Sequence, residues 1–246
     1  MLLTSVTGYV HKSAYSVKLL MFLFLLLSIS ISAKEMVTLG TLVFPPHSRI
    51  DAQTNKCVGS FVTITRKILA DYDIDVDVVC APPIRIYRML ESADIDFTIN
   101  IKSTKALPHD VVFVDTPFSI LKLDLYQHKN ALSTKSVAAI RGFSYHGFRD
   151  KLMLEGYEFF DLPTSISAIQ LFLKKRSSHL ITYRSPAEFY IKNKNLDIKG
   201  SVSILPLVDV PTYFAISGNS PHLEKLKVAF NGYAAKNQIS FFGQME

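Results

Sequence analysis

The sequence predicts an α/β protein of two lobes, each a mostly parallel sheet flanked by helices, with two extended segments crossing between the lobes. Three observations support this fold class. Strand and helix patterns alternate after residue 36, the alternation returns in the second half of the chain, and extended stretches near 120–128 and 206–216 connect the halves. Alternating strands and helices are typical of parallel sheets with right-handed crossovers.

The first 33 residues have the pattern of a cleavable secretory signal. An apolar run from Leu19 to Ile31 follows Lys12 and Lys18 and ends in small residues up to Ala33. Basic, apolar and small residues in this order are typical of a signal peptide, whereas a membrane-spanning helix needs about 20 apolar residues. We predict cleavage after Ala33, with an uncleaved anchor as the alternative, and no lipid anchor because Lys34 would begin the mature chain.

The first half of the mature chain predicts three strands with a helix between each pair. Its first strand ends at Phe44 because two prolines follow, and proline cannot continue a strand ladder. Apolar residues at helical spacing predict the helices, and alternating residues predict the strands. The predicted elements are strands at 37–43, 74–80 and 95–101, helices around 61–69 and 86–90, and extended stretches at 111–118 and 120–127.

The second half repeats the pattern and ends in a closing helix. Ser165 is the predicted N-cap of its middle helix, and Pro186 suits a first helical turn. The predicted elements are strands at 136–140, 157–160 and 179–183, helices from 145, 165–175 and from 186, an extended segment at 202–216 and a helix at 221–236. We predict that residues 34–124 and 210–246 form lobe 1 and residues 125–209 form lobe 2, with a binding cleft between them.

Charge and cysteine content limit the possible functions. The net charge of the chain is +6, and its one basic triplet, Lys174 to Arg176, fits a solvated helix end better than a polyanion site. We therefore predict no nucleic-acid partner. An oxidising compartment permits Cys57 and Cys80 to form a disulfide, with two buried free thiols as the alternative. Two cysteines without clustered His or Glu predict no metal site, and we predict no cofactor.

Several short motifs follow one another in a recognisable order. They are Val37 to Pro46, Gly59 before a helix, Pro83-Ile84-Arg85 before Met89-Leu90-Glu91, Asp96 to Ile99, Phe113 to Phe118, Val137 to Gly142 and Ser217 to Leu226. Their order over residues 36–240 resembles solute-binding protein family 3, the amino-acid-binding type of periplasmic component of ABC importers. The resemblance implies the type II periplasmic-binding-protein fold and a monomer in the periplasm that binds a small molecule and meets a membrane permease or a receptor domain.

The resemblance also implies positions that contact a ligand. Phe44 matches an aromatic residue that stacks on the ligand, although it also fits an apolar strand end. Arg85 matches an arginine that binds a carboxylate, although it also fits a solvated helix start. The remaining implied positions are Lys102 and Ser103 after the third strand, Arg141, Phe143 and Ser144 at the strand-to-helix turn of lobe 2, and Tyr183.

The sequence departs from the family at both positions that bind the charged groups of an amino-acid ligand. Lys105 to Pro108 occupy the stretch where amino-acid binders carry an arginine for the α-carboxylate, and Tyr183 stands where they carry an acid for the α-ammonium group. A buried amino-acid head group would lack its charged partners, at a cost of several kcal/mol. Arg85, Lys102 and Lys105 favour an anionic ligand, while Phe44, Tyr145 and Tyr183 favour an aromatic or apolar portion.

Motifs of catalysis are absent from the sequence. It contains no G-x-S-x-G elbow, no H-E-x-x-H pair and no phosphate-binding glycine loop, and its histidines have no catalytic partner nearby in sequence. We therefore predict a binding protein and not an enzyme. The first hypothesis is an importer component that captures a small polar molecule, anionic or amino-acid-like, in the cleft between the lobes. A ligand-sensing partner of a membrane receptor, a paralogue with a decayed site and a dehydratase-like enzyme on the same fold are the alternatives.

Overall fold

The computed structural model describes residues 34–130 and 134–245. The predicted signal at 1–33 lies outside the described residues. Within them, no helix combines the length and the apolar character that crossing a membrane requires.

Lobe 1 is built on a parallel sheet in which the strand at residues 35–41 lies between the strands at 74–80 and 97–100. Its first half contains β1 (Glu35–Thr41), β2 (Arg49–Ile50), β3 (Cys57–Val58), α1 (Ser60–Ala70), β4 (Ile74–Cys80), α2 (Pro83–Glu91), β5 (Phe97–Asn100) and β6 (Val112–Phe113). The chain returns at its end to add α6 (Leu223–Asn237) and a 3₁₀ turn (Phe242–Met245). Helix α1 buries one face because its apolar residues recur at helical spacing.

Lobe 2 repeats the arrangement with strands in the order β10, β8, β9. It contains β8 (Ser136–Ile140), α3 (Phe148–Leu154), β9 (Glu158–Leu162), α4 (Ser165–Leu173), β10 (His179–Tyr183) and α5 (Arg184–Asn193). All five residues of β10 are buried, as expected for a strand covered on both faces. These elements confirm the predicted α/β fold class.

Two antiparallel strands, β7 (Ser119–His128) and β11 (Val202–Ile216), cross between the lobes. The last residues of β11 pair with β5 in lobe 1, while β7 pairs with β10 in lobe 2. The two strands pair with each other from Thr212–Ser119 to Val202–His128, with a register shift between Pro206 and Val208. Proline is tolerated there because this part of β11 is an edge that pairs with β7 alone. The predicted lobe boundaries at 124 and 209 stay a prediction.

The core of lobe 1 is rich in aromatic rings. Phe214 stacks on Phe230 with centroids 3.9 Å apart, and Phe97, Phe118 and Phe242 pack around this pair. Since β11 supplies Phe214, the same strand that crosses to lobe 2 is anchored in the core of lobe 1. Aromatic pairs at such distances stabilise a fold beyond the area that they bury.

Several predicted boundaries differ from the structure, and three of the differences concern a helix start, an N-cap and the extent of a strand. The helix predicted from Tyr145 begins at Phe148, because Tyr145 and His146 have φ of 48° and 57°, which is left-handed and not helical. Thr164, not Ser165, is the N-cap of α4, and its hydroxyl accepts a hydrogen bond from the N–H of Ser167 at 3.1 Å. Only Val112–Phe113 of the stretch 111–118 forms a strand.

Cys57 and Cys80 form a disulfide, with Cα atoms 5.6 Å apart. The bond joins β3 to the end of β4, beside the turn that leads into α2. It therefore fixes the short hairpin of β2 and β3 to the parallel sheet.

Replacing both cysteines by serine should lower the free energy of unfolding by about 3 kcal/mol, because the bond spans 23 residues and restricts the unfolded chain. Denaturant titration without reductant measures the difference. Dithiothreitol should bring the wild-type protein to the stability of the variant and leave the variant unchanged. Two titratable thiols in denatured, unreduced protein would contradict the bond.

A buried ion pair connects β7 to α5 in lobe 2. Asp124 is fully buried, and Arg184 donates two hydrogen bonds to it, from Nε to Oδ2 at 2.7 Å and from Nη2 to Oδ1 at 2.8 Å. This carboxylate raises the pKa of the Arg184 guanidinium above its usual value. Loss of the arginine would leave a buried carboxylate without its partner.

Arg184→Met should therefore lower the free energy of unfolding by about 3 kcal/mol. Lys227→Met is the matched control, because Lys227 pairs with Glu224 at 3.0 Å on the exposed surface and should change stability little. Calorimetry at pH 7 compares the two variants. If Arg184→Met lowered the free energy of unfolding as little as Lys227→Met does, Asp124 would tolerate the loss of its partner.

Candidate ligand-binding site

A cavity of about 530 Å³ lies between the lobes, next to the crossing strands. Lobe 1 contributes residues that follow β1 and β5 together with side chains of α1 and α2, and lobe 2 contributes the turn after β8 and the ends of β9 and β10. The lining residues are Thr41, Leu42, Phe44, Ser48, Phe61, Tyr87, Ile99, Asn100, Ile101, Thr104, Lys105, Ala106, Leu121, Gly142, Phe143, Ser144, Tyr145, Arg149, Asp150, Asp161, Tyr183 and Thr212.

Phe44 reaches from lobe 1 into the apolar cluster of lobe 2. A tight turn after β1 positions it, because Phe44 and Ser48 exchange backbone hydrogen bonds of 2.8 and 3.0 Å. Its ring lies 5.7 Å from that of Tyr183 in an edge-to-face arrangement, and its side chain is buried with Leu121 and Leu123. The ring thus closes one side of the cavity.

A hydrogen-bonded chain of three polar side chains forms the lobe 1 wall. Asn100 ends β5, and its Oδ1 accepts hydrogen bonds from the N–H of Ile101 at 2.8 Å and from the hydroxyl of Thr104 at 2.7 Å. Its Nδ2 donates to the Tyr87 hydroxyl of α2 at 3.2 Å. Burial raises the pKa of Tyr87, so its phenol is uncharged at neutral pH.

Arg149 of α3 donates hydrogen bonds to the turn that follows β8 in lobe 2. Its Nε donates to the carbonyl of Phe143 at 2.6 Å, and its Nη2 donates to the carbonyl of Ile140 at 2.9 Å and to Asp161 Oδ1 at 2.8 Å. The guanidinium also lies 4.4 Å from the ring centre of Phe159. Its charge is therefore compensated by Asp161, and its main contacts are with the protein.

The tyrosines of lobe 2 add neutral polar groups. Burial raises the pKa of Tyr183, and the nearby Tyr87 hydroxyl adds to that effect. Burial likewise raises the pKa of Tyr145, whose hydroxyl accepts the N–H of Ile140 at 2.6 Å. Both phenols are uncharged at neutral pH. A phenol at position 183 cannot supply the negative charge that an ammonium group would need.

Four of the eight predicted ligand positions line the cavity, namely Phe44, Phe143, Ser144 and Tyr183. Together with Tyr145 and Lys105, they come from both lobes. Their contact with a ligand stays a prediction.

The other four predicted positions, Arg85, Lys102, Ser103 and Arg141, are exposed and are not among the lining residues. Lys102 Nζ lies 4.2 Å from the ring centre of Tyr213, and Arg141 donates its N–H to the carbonyl of Leu162 at 2.8 Å. Ser103 Oγ lies 3.3 Å from His146 Nδ1, so it joins the lobes at the rim of the cleft.

Sequence reasoning missed Tyr87, Asn100, Thr104, Arg149 and Asp161. Asn100 offered a signal, since it is the polar residue at the end of a buried strand that faces the predicted cleft. Tyr87 lies next to Ile86 and close to Leu90 on the buried face of α2, so the sequence pattern does not distinguish it from a core residue. Arg149 and Asp161 gave no signal, because their pairing depends on the fold of the turn.

Metal ligands do not cluster in the part of the chain that the structure describes. No group of three His, Cys, Asp or Glu side chains in residues 34–130 and 134–245 could hold a metal ion.

Comparison with known proteins identifies the fold. No protein-family model and no curated protein sequence matches the chain. A histidine kinase sensor domain with similarity to periplasmic binding proteins is 17% identical with a TM-score of 0.68, over 83% of this chain and 91% of that chain. An ancestral arginine-binding protein bound to arginine is 18% identical with a TM-score of 0.68, over 85% and 95%.

A third similar structure is an ABC uptake transporter substrate-binding protein from Streptococcus pneumoniae with bound histidine, 15% identical with a TM-score of 0.67, over 82% and 87%. The chain therefore has the two-lobed periplasmic-binding-protein-like fold. Membership of solute-binding protein family 3 stays a prediction.

Tyr145→Phe should lower the free energy of unfolding by about 1 to 2 kcal/mol, because it leaves the buried N–H of Ile140 without an acceptor. Tyr190→Phe is the matched control, since Tyr190 is partly buried in lobe 2 and does not line the cavity. Chemical denaturation of both variants measures the difference. An unchanged stability of Tyr145→Phe would mean that another acceptor replaces the phenol.

Proposed function

We propose that this chain is a solute-binding protein that captures a small polar molecule between its lobes and delivers it to the permease of an ABC-type importer. The observation that carries the proposal is the cavity of about 530 Å³, which has walls from both lobes. A ligand that contacts both lobes favours the closed arrangement over an open one, and β7 and β11 are the segments about which closure would occur.

Direct contacts across the cleft support closure as the relevant motion. Phe44 of lobe 1 packs on Tyr183 of lobe 2, and Ser103 of lobe 1 meets His146 of lobe 2. These contacts are few and small, so they can be made and broken while the cores of both lobes stay intact. A membrane partner can then distinguish the closed form by the relative position of the two lobes.

The ligand that we propose is polar and small, without a requirement for negative charge. Of the three cations that favour an anion in the sequence, Lys105 alone is among the lining residues, while Arg85 and Lys102 are not. The charged lining residues are Lys105, Arg149, Asp150 and Asp161, two of each sign. We propose binding without turnover, by a monomer that is processed after Ala33 and works in the periplasm.

Sensing is the second candidate function. The histidine kinase sensor domain has the same TM-score as the arginine-binding protein, so the fold similarity favours neither role. In this alternative the closed form would meet the outer domain of a membrane receptor. Co-purification with a permease or with a receptor from the native membrane distinguishes the two roles.

A thermal-shift screen of the secreted protein against amino acids, organic anions, amines and neutral ring compounds should yield a ligand. At 100 times its Kd, a ligand adds about 2.7 kcal/mol of stability. Phe44→Ala should weaken binding of that ligand roughly three- to tenfold, because an aromatic contact is lost. Leu154→Ala, at an exposed position of α3, should not change it.

X-ray scattering of the same samples should give a smaller radius of gyration when the ligand is present. A ligand that binds Phe44→Ala and Leu154→Ala with the same Kd would lie outside the cavity. A ligand that the protein converts, detected as product by NMR, would replace binding by catalysis.

A further inference from the structure

We infer that the ligand of this cavity is an uncharged ring compound with a hydrogen-bond acceptor, such as a ring carboxamide or a lactam. The inference rests on the proposed function, because it names the chemical class that the same cavity accepts. It depends on the direction of the hydrogen bonds in the lobe 1 wall, on the aromatic walls and on the placement of charges.

The orientation of the Asn100 amide is fixed by a backbone group. The N–H of Ile101 can only donate, so the atom that it meets at 2.8 Å must be the amide oxygen of Asn100. The amide nitrogen therefore faces Tyr87, at 3.2 Å from its hydroxyl. Since the amide nitrogen has no lone pair to offer, the Tyr87 oxygen accepts this hydrogen bond, and the proton of Tyr87 points to another partner.

Thr104 has the opposite role in the same chain of hydrogen bonds. Its hydroxyl lies 2.7 Å from Asn100 Oδ1, which has no proton, so Thr104 donates and keeps its own lone pairs for another partner. Tyr87 and Thr104 both line the cavity. The lobe 1 wall therefore offers a neutral donor from Tyr87 and a neutral acceptor from Thr104, on either side of Asn100.

Aromatic side chains surround this polar wall. Phe44 and Tyr183 lie edge to face at 5.7 Å, and Phe143 and Tyr145 lie 5.7 Å apart. All four line the cavity and come from both lobes. A ring placed among them contacts their faces and edges, which favours a flat or cyclic ligand over a flexible chain.

The charges of the cavity are compensated or exposed. Arg149 pairs with Asp161, and Lys105 and Asp150 have exposed side chains. The residues of the polar wall, Tyr87, Asn100 and Thr104, are uncharged at neutral pH, and so is Tyr183 of lobe 2. A carboxylate or an ammonium group placed against this wall would lose water without gaining a buried, unpaired charge as its partner, whereas a neutral carbonyl would accept from Tyr87.

Three matched pairs of compounds test the inference: nicotinamide with nicotinate, benzamide with benzoate, and uracil with orotate. Binding to the secreted protein is measured by saturation-transfer NMR and calorimetry at pH 7.5. At least one neutral compound should bind about tenfold or more tightly than its carboxylate counterpart, because Arg149 is already paired with Asp161 and Lys105 has an exposed side chain, so neither offers a buried partner for the carboxylate.

Tyr87→Phe should raise the Kd of the neutral compound about three- to tenfold, because the donor hydroxyl is lost. Tyr190→Phe, which makes the same change away from the cavity, should leave its Kd unchanged.

Tighter binding of each carboxylate than of its neutral partner would overturn the inference, and so would tighter binding of an amino acid such as L-arginine. If that binding were lost in Phe44→Ala, the proposed function would stand with a different ligand class. An unchanged Kd of the neutral compound in Tyr87→Phe would overturn the role of the Tyr87 donor. Absence of binding by all neutral compounds would also overturn the inference, while the proposed function fails only if the broad thermal-shift screen gives no ligand.

Discussion

The antiparallel pairing of β7 with β11 is the constraint on which the other features depend. The two strands run side by side from Ser119 and Thr212 into lobe 2, and each is anchored by its own neighbours, β10 for β7 and β5 for β11. At the crossing, the hydroxyl of Thr212 accepts the N–H of Ser119 at 3.2 Å and lies 2.9 Å from the Ser119 hydroxyl. Because Thr212 also lines the cavity, the crossing and the site share one residue.

In the proposed function, the neutral polar groups of the cavity beside this crossing would contribute more to ligand selection than its charged groups. Arg149 is the best buried cation in it, and its hydrogen bonds to Phe143, Ile140 and Asp161 position the lobe 2 turn. In the proposed ligand class, selectivity would come from the wall made of Tyr87, Asn100 and Thr104, where hydrogen bonds within the wall fix Asn100 Nδ2 and the Thr104 hydroxyl as donors and Asn100 Oδ1 as an acceptor. Neutral hydrogen bonds contribute less than ion pairs, yet they discriminate well because an unmatched buried group is costly.

Much of the fold follows from the sequence, since the strands of both lobes alternate or run apolar and the helices carry clear apolar faces. The uninterrupted alternation over 120–127 predicts the strand Ser119–His128 to within one residue at each end. The site is harder to predict. Arg85, a predicted ligand contact, does not line the cavity, because Ile86 and Leu90 define the buried face of α2 and leave Arg85 on the other side.

The turn after β8 marks the limit of sequence reasoning. Glycine at 142 and 147 indicates a turn, but it does not reveal the left-handed conformations of Tyr145 and His146 or the hydrogen bonds between side chains and backbone within this turn. Tyr145 is held by the N–H of Ile140, and Arg149 binds the carbonyls of the same turn. The spacing of apolar residues does not reveal such hydrogen bonds between side chains and backbone, which explains why the predicted helix starts three residues too early.

The burial of Phe44 has a consequence for the rates at which a ligand would enter and leave the cavity. Its ring is buried against Tyr183 and Leu121, so parting the lobes would expose the apolar surface of this one ring to water. That exposure would disfavour opening whether or not a solute is inside. For the proposed binding protein, the residence time of the ligand would therefore depend on the contact between Phe44 and Tyr183 as well as on affinity, and a membrane partner that displaced the Phe44 turn would accelerate release without touching the bound molecule.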